Sequence, residues 1–201
     1  MARAVGYHGV SARLIDMEAA PIRVILTYRD YEALPAADGR RYELHDGELV
    51  VTAAPGTPHQ RLVGRLFRLL QQHVEEHQLG EVFVSPVDCI LSDTTVVQPD
   101  LVYVESARSS FVSLRGIEGP PTLVIEILSR STMQIDRGAK LQLYARHEIP
   151  HYWIVDPDQP RIEAYALTEG VFDVVACLSG ADRGSLPPFS ELVIAADTLW
   201  P

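Results

Sequence analysis

VVQPDLVYV (residues 96–104) and PTLVIEILS (residues 121–129) are the two stretches that decide how this chain folds. Both are apolar at nearly every position, the pattern of strands covered on both faces rather than of strands with one wet side. Each carries one acid where an aliphatic residue belongs. Asp100 follows Pro99 inside the first run, and Glu126 stands in the second, flanked by Leu123, Val124 and Ile125 before it and Ile127 and Leu128 after it. A carboxylate in such a setting costs free energy unless it is paired or bound to a cation. Two acids on successive strands can converge on one cation, and Mg2+ takes oxygen ligands, commonly one or two carboxylates with waters and substrate phosphate. The rival reading is structural: Glu126 pairs with an arginine or satisfies a backbone group, and Asp100 sits in a turn beside its proline.

Downstream, TMQIDRGAKLQLYARH (132–147) reads as a helix starting at Ser131 or Thr132, with Asp136, Lys140 and Tyr144 at four-residue spacing. Lys140 then either points at the two acids or forms a plain surface ion pair with Asp136. Upstream, RYELHDGELVVTAAP (41–55) reads as a hairpin, because Asp46-Gly47 supplies the positive φ angles of a tight turn. From His59 to His77 the apolar residues Leu62, Val63, Leu66, Leu69, Leu70 and Val74 recur at helical spacing, and Gly80 is the expected stop.

The remaining punctuation is consistent with these elements. Thr27 caps a short helix, Tyr28 to Leu34, that ends at Pro35. EVFVSPVDCIL (81–91) is a further β-rich run, Ser106 to Pro121 an irregular excursion, and HYWIVDP (151–157) a short strand. RIEAYA (161–166) and VFDVVAC (171–177) form a second hairpin across Glu169-Gly170, and a Pro-rich tail starts at Gly184. The order predicts an α/β (α+β) fold, a mixed sheet flanked by helices. Residues 1–26 read as an N-terminal extension and 27–201 as a single domain.

With 201 residues and 47% hydrophobic content, the chain can bury one real core. It carries 17 Lys and Arg against 27 Asp and Glu, a net charge of −10, which is unusual for a protein that holds nucleic acid by its phosphates. Arg61, Arg65 and Arg68 are candidates for a local basic patch. No run reaches the ~18 apolar residues of a membrane helix, and the N-terminus lacks the apolar core of a secretory signal, so a cytoplasmic protein is expected. Cys89 and Cys177 both lie in apolar surroundings and read as two buried thiols. His59, at the helix entry, reads either as a proton relay facing the site or, more commonly for such a position, as a capping or packing residue, and Gln60 has no stronger case. Ser129 and Ser131 read as a strand end and a helix cap, and Tyr144, Tyr152 and Trp153 as core. No P-loop, dinucleotide fingerprint or zinc spacing is present.

QPD (98–100), VIEILSRST (124–132), DRGAKLQLYARHEIPHYWIVDP (136–157), YELHDGELVV (42–51) and Pro58-His59-Gln60 together resemble the Uma-type restriction endonucleases, a branch of the PD-(D/E)XK nuclease superfamily. The likeness runs from about residue 27 to 195. It implies a restriction-endonuclease-like core with Asp100 at the motif aspartate and Glu126 at the acid position. The superfamily's usual lysine would stand where Leu128 does, and the branch's substitute, a lysine on the following helix, corresponds to Lys140. Glu43 matches an additional acid that would complete the site; its alternative is a cross-strand ion pair with Arg41 or a neighbour. The implied activity is Mg2+-dependent (or Mn2+-dependent) hydrolysis of DNA phosphodiester bonds by a homodimer. Asp100, Glu126 and the backbone carbonyl of Ile127 would be the metal ligands, and Lys140 would orient the attacking water. The hairpin 161–177 and the extension are candidate contact surfaces. Two alternatives stay open: a catalytically silent nuclease fold kept as an interaction module, and a metal-dependent hydrolase of a small phosphorylated substrate.

Overall fold

The computed structural model describes residues 24–34, 40–129 and 132–200; most of the extension, Pro35 and Ser131 lie outside them. A short helix, α1 (Tyr28–Glu32), precedes the hairpin β1 (Arg40–His45) and β2 (Glu48–Ala53). The long helix α2 (Thr57–Glu76) follows, then β3 (Gly80–Val84), β4 (Cys89–Ser92), β5 (Thr95–Val97) and β6 (Leu101–Glu105). After a 3-10 turn come β7 (Leu123–Ile127), a π-helical turn (Ile135–Ala139) and α3 (Lys140–Arg146). The chain ends in β8 (His151–Asp156), β9 (Arg161–Thr168), β10 (Val171–Ser179), β11 (Arg183–Leu186) and β12 (Phe189–Ala195).

The main sheet has the order β10-β9-β8-β7-β6-β3, and a smaller one the order β2-β1-β5-β4. In the main sheet β7 and β8 pair in parallel, and its other pairings are antiparallel. Parallel neighbours need a crossover, and the π turn with α3 provides it. Helix α2 lays Leu62, Leu66, Leu70 and Val74 on one face of the main sheet, against Leu101, Leu123, Ile125, Ile127 and Trp153. On the other face, Leu143 and Tyr144 of α3 pack with Val102, Val124, Tyr152 and Ile154. Strand β7 is therefore buried at every residue, as its unbroken apolar run predicts. Among the described residues no helix is long and apolar enough to cross a membrane.

Five expectations are corrected. The run 81–91 is two strands: β3 belongs to the main sheet, β4 to the small one, and the chain changes sheets at Ser85-Pro86. Residues 95–105 divide in the same way around Pro99, whose missing N–H cannot sustain a ladder. Helix α2 does not stop at Gly80. Gln78 makes the turn with φ +55, and Gly80 already opens β3, where a side chain would strike the Val104 carbonyl oxygen. The second helix is interrupted by the π turn, in which the Lys140 N–H reaches the Ile135 carbonyl five residues back. Finally, Cys89 is buried but Cys177 is exposed, because β10 is the edge strand of its sheet.

Candidate active site

Residues of both sheets line one cavity of about 160 Å3. Strand alternation in β1 sends Arg41 and Glu43 into it, β7 contributes Glu126, the first turn of α2 contributes His59, and the π turn and α3 contribute Asp136 and Lys140. Asp100 stands just before β6, past the proline that ends the small-sheet strand. The four residues singled out from the sequence, Glu43, Asp100, Glu126 and Lys140, thus line one space, and Ile127 lines it too.

Asp100 is held from three directions. Arg41 Nη2 donates to Oδ1 at 2.9 Å, while His59 Nε2 and the Ile127 N–H each donate to Oδ2 at 2.9 Å. Burial pushes its carboxyl pKa up, but the His59 hydrogen bond, the Arg41 charge and the Ile127 N–H outweigh it and leave the group below the usual carboxylate range. Glu43 is likewise lowered: burial is overcome by Lys140, by His45 donating to Oε2 at 2.8 Å, and by the Gln98 N–H donating to Oε1 at 3.0 Å. The alternative pairing of Glu43 with Arg41 does not occur, since Arg41 is spent on Asp100 and on the Gln98 carbonyl.

Lys140 bridges the two strands, donating to Glu126 Oε1 at 2.8 Å and to Glu43 Oε1 at 3.0 Å. Its side chain is 6% exposed and that of Asp136, 3.9 Å away, only 2%, so this is no surface ion pair. Burial favours the neutral amine, yet Glu126, Glu43 and Asp136 together raise the Lys140 pKa and keep it charged. Glu126 also accepts from the Tyr144 hydroxyl at 2.6 Å. Burial pushes its carboxyl up to about 8; Lys140 opposes this, while Asp136, Asp100 and Glu43 add to it. Asp136 is raised for the same reason, and its buried Oδ1 has no hydrogen-bond partner.

Three residues of this constellation escape the sequence reading. A site role for His59 is ranked there below a capping or packing role, although it shares the buried stripe of α2 with Leu62, Val63 and Leu66, a placement that favours the site. Asp136 is weighed only as a surface partner, and Arg41 only as a partner of Glu43. Tyr144 is core, as read, but its hydroxyl reaches the site. The basic trio does not line the cavity, and Arg65 is committed to the Leu199 carbonyl at 2.9 Å.

Among the described residues no three His, Cys, Asp or Glu side chains are gathered closely enough to chelate a metal in this arrangement. Lys140 stands between Glu43 and Glu126, and Arg41 caps Asp100. The donor chemistry nevertheless suits a hard divalent cation. Four buried carboxylates face one cavity, one of their oxygens has no hydrogen-bond partner, and burial first, then the neighbouring acids, raise the Glu126 carboxyl.

Comparison with known proteins agrees with this architecture. The structure of a protein titled "putative nuclease belonging to DUF820", from Anabaena variabilis, superposes with a TM-score of 0.71 at 18% sequence identity, over 87% of this chain and 97% of that one. "Uncharacterized protein sll1609" of Synechocystis is 27% identical over 144 residues, 70% of this chain and 80% of its own. Residues 28–197 match the family described as "Uma2: Putative restriction endonuclease", and the chain belongs to that family.

Proposed function

We propose that this chain is a Mg2+- or Mn2+-dependent phosphodiesterase acting on DNA. The observation that carries the reading is the charge balance of the cavity: Glu43, Asp100, Glu126 and Asp136 face it, against Lys140 and Arg41. Asp100 and Glu126 would hold the cation, with the Ile127 carbonyl as a third donor. When bound, a divalent ion neutralises charge on the scissile phosphate and lowers the pKa of water. The chain's own groups do the rest. Arg41, His59 and the Ile127 N–H fix the orientation of Asp100. Lys140 has three N–H donors, two of them given to Glu43 and Glu126, so one is left for the attacking water or a phosphate oxygen. The water oxygen forms the new bond to phosphorus as the ester bond opposite it breaks.

A cytoplasmic setting suits the two free thiols. Pairing of two copies would place two such cavities on one duplex, and exposed Val171, Val174 and Val175 on edge strand β10 are the face we assign to it. A catalytically silent module is favoured by one feature, the completeness with which Lys140 already neutralises Glu43 and Glu126.

Cleavage assays decide between them. Purified protein with Mg2+ or Mn2+ is expected to cut DNA, and Asp100→Ala, Glu126→Ala and Lys140→Ala are each expected to lower the rate about a hundredfold or more. Variants that cut as well as the wild type, or no cutting of linear, nicked, single-stranded or supercoiled DNA, would sink the proposal.

A further inference from the structure

Behind the acidic cavity, on the other side of β1, lies a second cleft of about 520 Å3. The alternation that turns Arg41 and Glu43 toward the acidic cavity turns Tyr42 toward this cleft. Tyr28 and Tyr31, one helical turn apart on α1, present rings 6.2 Å apart and 25° from parallel. The Arg115 guanidinium lies 5.5 Å from the Tyr28 ring centroid. Beside it Leu114 is fully exposed, at the tip of a turn closed by the Ser113 N–H on the Gly116 carbonyl at 2.9 Å.

The polar wall is built as specifically. Asp88 Oδ1 accepts from the Tyr31 hydroxyl at 2.8 Å and from Gln98 Nε2 at 2.7 Å. The same Gln98 amide nitrogen donates to the Tyr31 oxygen at 3.2 Å. Among the described residues, no hydrogen bond uses Asp88 Oδ2 or Gln98 Oε1, so the wall offers acceptors. Gln98 also joins the two sites. Its N–H goes to Glu43 and its carbonyl to Arg41 on the acidic side, while its side chain serves the cleft.

We propose that this cleft receives an unstacked nucleobase of the substrate strand, selecting bases that carry an exocyclic amino group. The inference rests on the phosphodiesterase reading and adds a base-binding site to it. Tyrosine rings with a guanidinium over one of them form a stacking platform that any base can use. A wall of acceptors pairs with the amino hydrogens of adenine, cytosine or guanine, whereas thymine meets it with its own carbonyl oxygens. A base seated there fixes the strand one residue, Gln98, away from the groups around Asp100.

The test uses the full chain in EDTA, where no cleavage interferes, and a single-stranded oligonucleotide carrying one 2-aminopurine. Binding is expected to quench the 2-aminopurine fluorescence, and oligo-dC to compete better than oligo-dT. Tyr28→Ala is expected to weaken binding about tenfold and to lose the quench, while Tyr28→Phe keeps both. Arg115→Ala, at an exposed position, should weaken binding several-fold and serves if Tyr28→Ala fails to fold. Absence of binding, binding without quench, equal competition by oligo-dT, or variants that bind like the wild type would overturn the base site. Cleavage that ignores Tyr28 would leave the phosphodiesterase standing without this cleft. Quenching that depends on Tyr28 in a chain that never cuts would leave the base site and remove the hydrolysis.

Discussion

Lys140→Met is expected to destabilise the metal-free protein by about 3–5 kcal/mol at pH 8, the cost of leaving buried carboxylates without their cation. Lys140 is 5% exposed, and it bonds at once to Glu43 on β1 and Glu126 on β7. It therefore ties the small sheet to the main one. Methionine keeps the stem's packing and removes the charge, so the loss reports electrostatics rather than a cavity. The deficit should shrink at acid pH, where Glu43 and Glu126 can protonate instead. It should also shrink in Mn2+, which would restore more stability to the variant than it adds to the wild type. Urea unfolding at the two pH values, with and without Mn2+, measures all of this. A loss below about 1 kcal/mol at pH 8 would mean that Lys140 is an ordinary solvated pair partner.

Glu126→Gln is expected to act in the opposite direction. The glutamine oxygen can still accept from Lys140 and from Tyr144, but it carries no charge among the other acids. In the wild type, burial first and then Asp136, Asp100 and Glu43 push the Glu126 carboxyl up to about 8. Between the ordinary carboxylate range and that value, the folded protein keeps a proton that the unfolded chain releases. This group's contribution to stability therefore falls as pH rises through that window. Glu43 and Asp100 behave inversely: their pKa values are lowered, so their stabilisation is present above the ordinary carboxylate range and lost only as pH falls through their folded values. Metal-free Glu126→Gln should accordingly be more stable than the wild type at pH 8, by on the order of a few kcal/mol, with the difference gone near pH 5. It should also gain nothing from Mn2+. Stability curves for the two proteins that run parallel across this range would show that Glu126 does not titrate there.

What the sequence makes legible here is whatever repeats locally. The Asp46-Gly47 turn, the stripe of α2 and the doubly covered run of β7 follow from spacing alone, and the structure has each of them. Asp100 and Glu126 stand out because a charge in a buried run is conspicuous without any partner in view. The partners themselves are long-range. Arg41 lies 59 residues from Asp100 and Glu43 lies 97 from Lys140, distances over which periodicity says nothing. The change of sheet at Pro86 and Pro99 is invisible for the same reason, since a proline marks a break in a ladder but not where the next ladder lies. The π turn is hidden too. An extra residue in a helical turn leaves the four-residue spacing of Asp136, Lys140 and Tyr144 intact while changing which groups they meet.

The most direct measurement is anomalous diffraction from a crystal of the protein soaked in Mn2+. The expected result is one peak bonded by the carboxylates of Asp100 and Glu126, absent from crystals of Glu126→Gln soaked in the same way. Density elsewhere in the molecule, or none between these two residues in a protein that still cuts DNA, would contradict the assignment of the acidic pair.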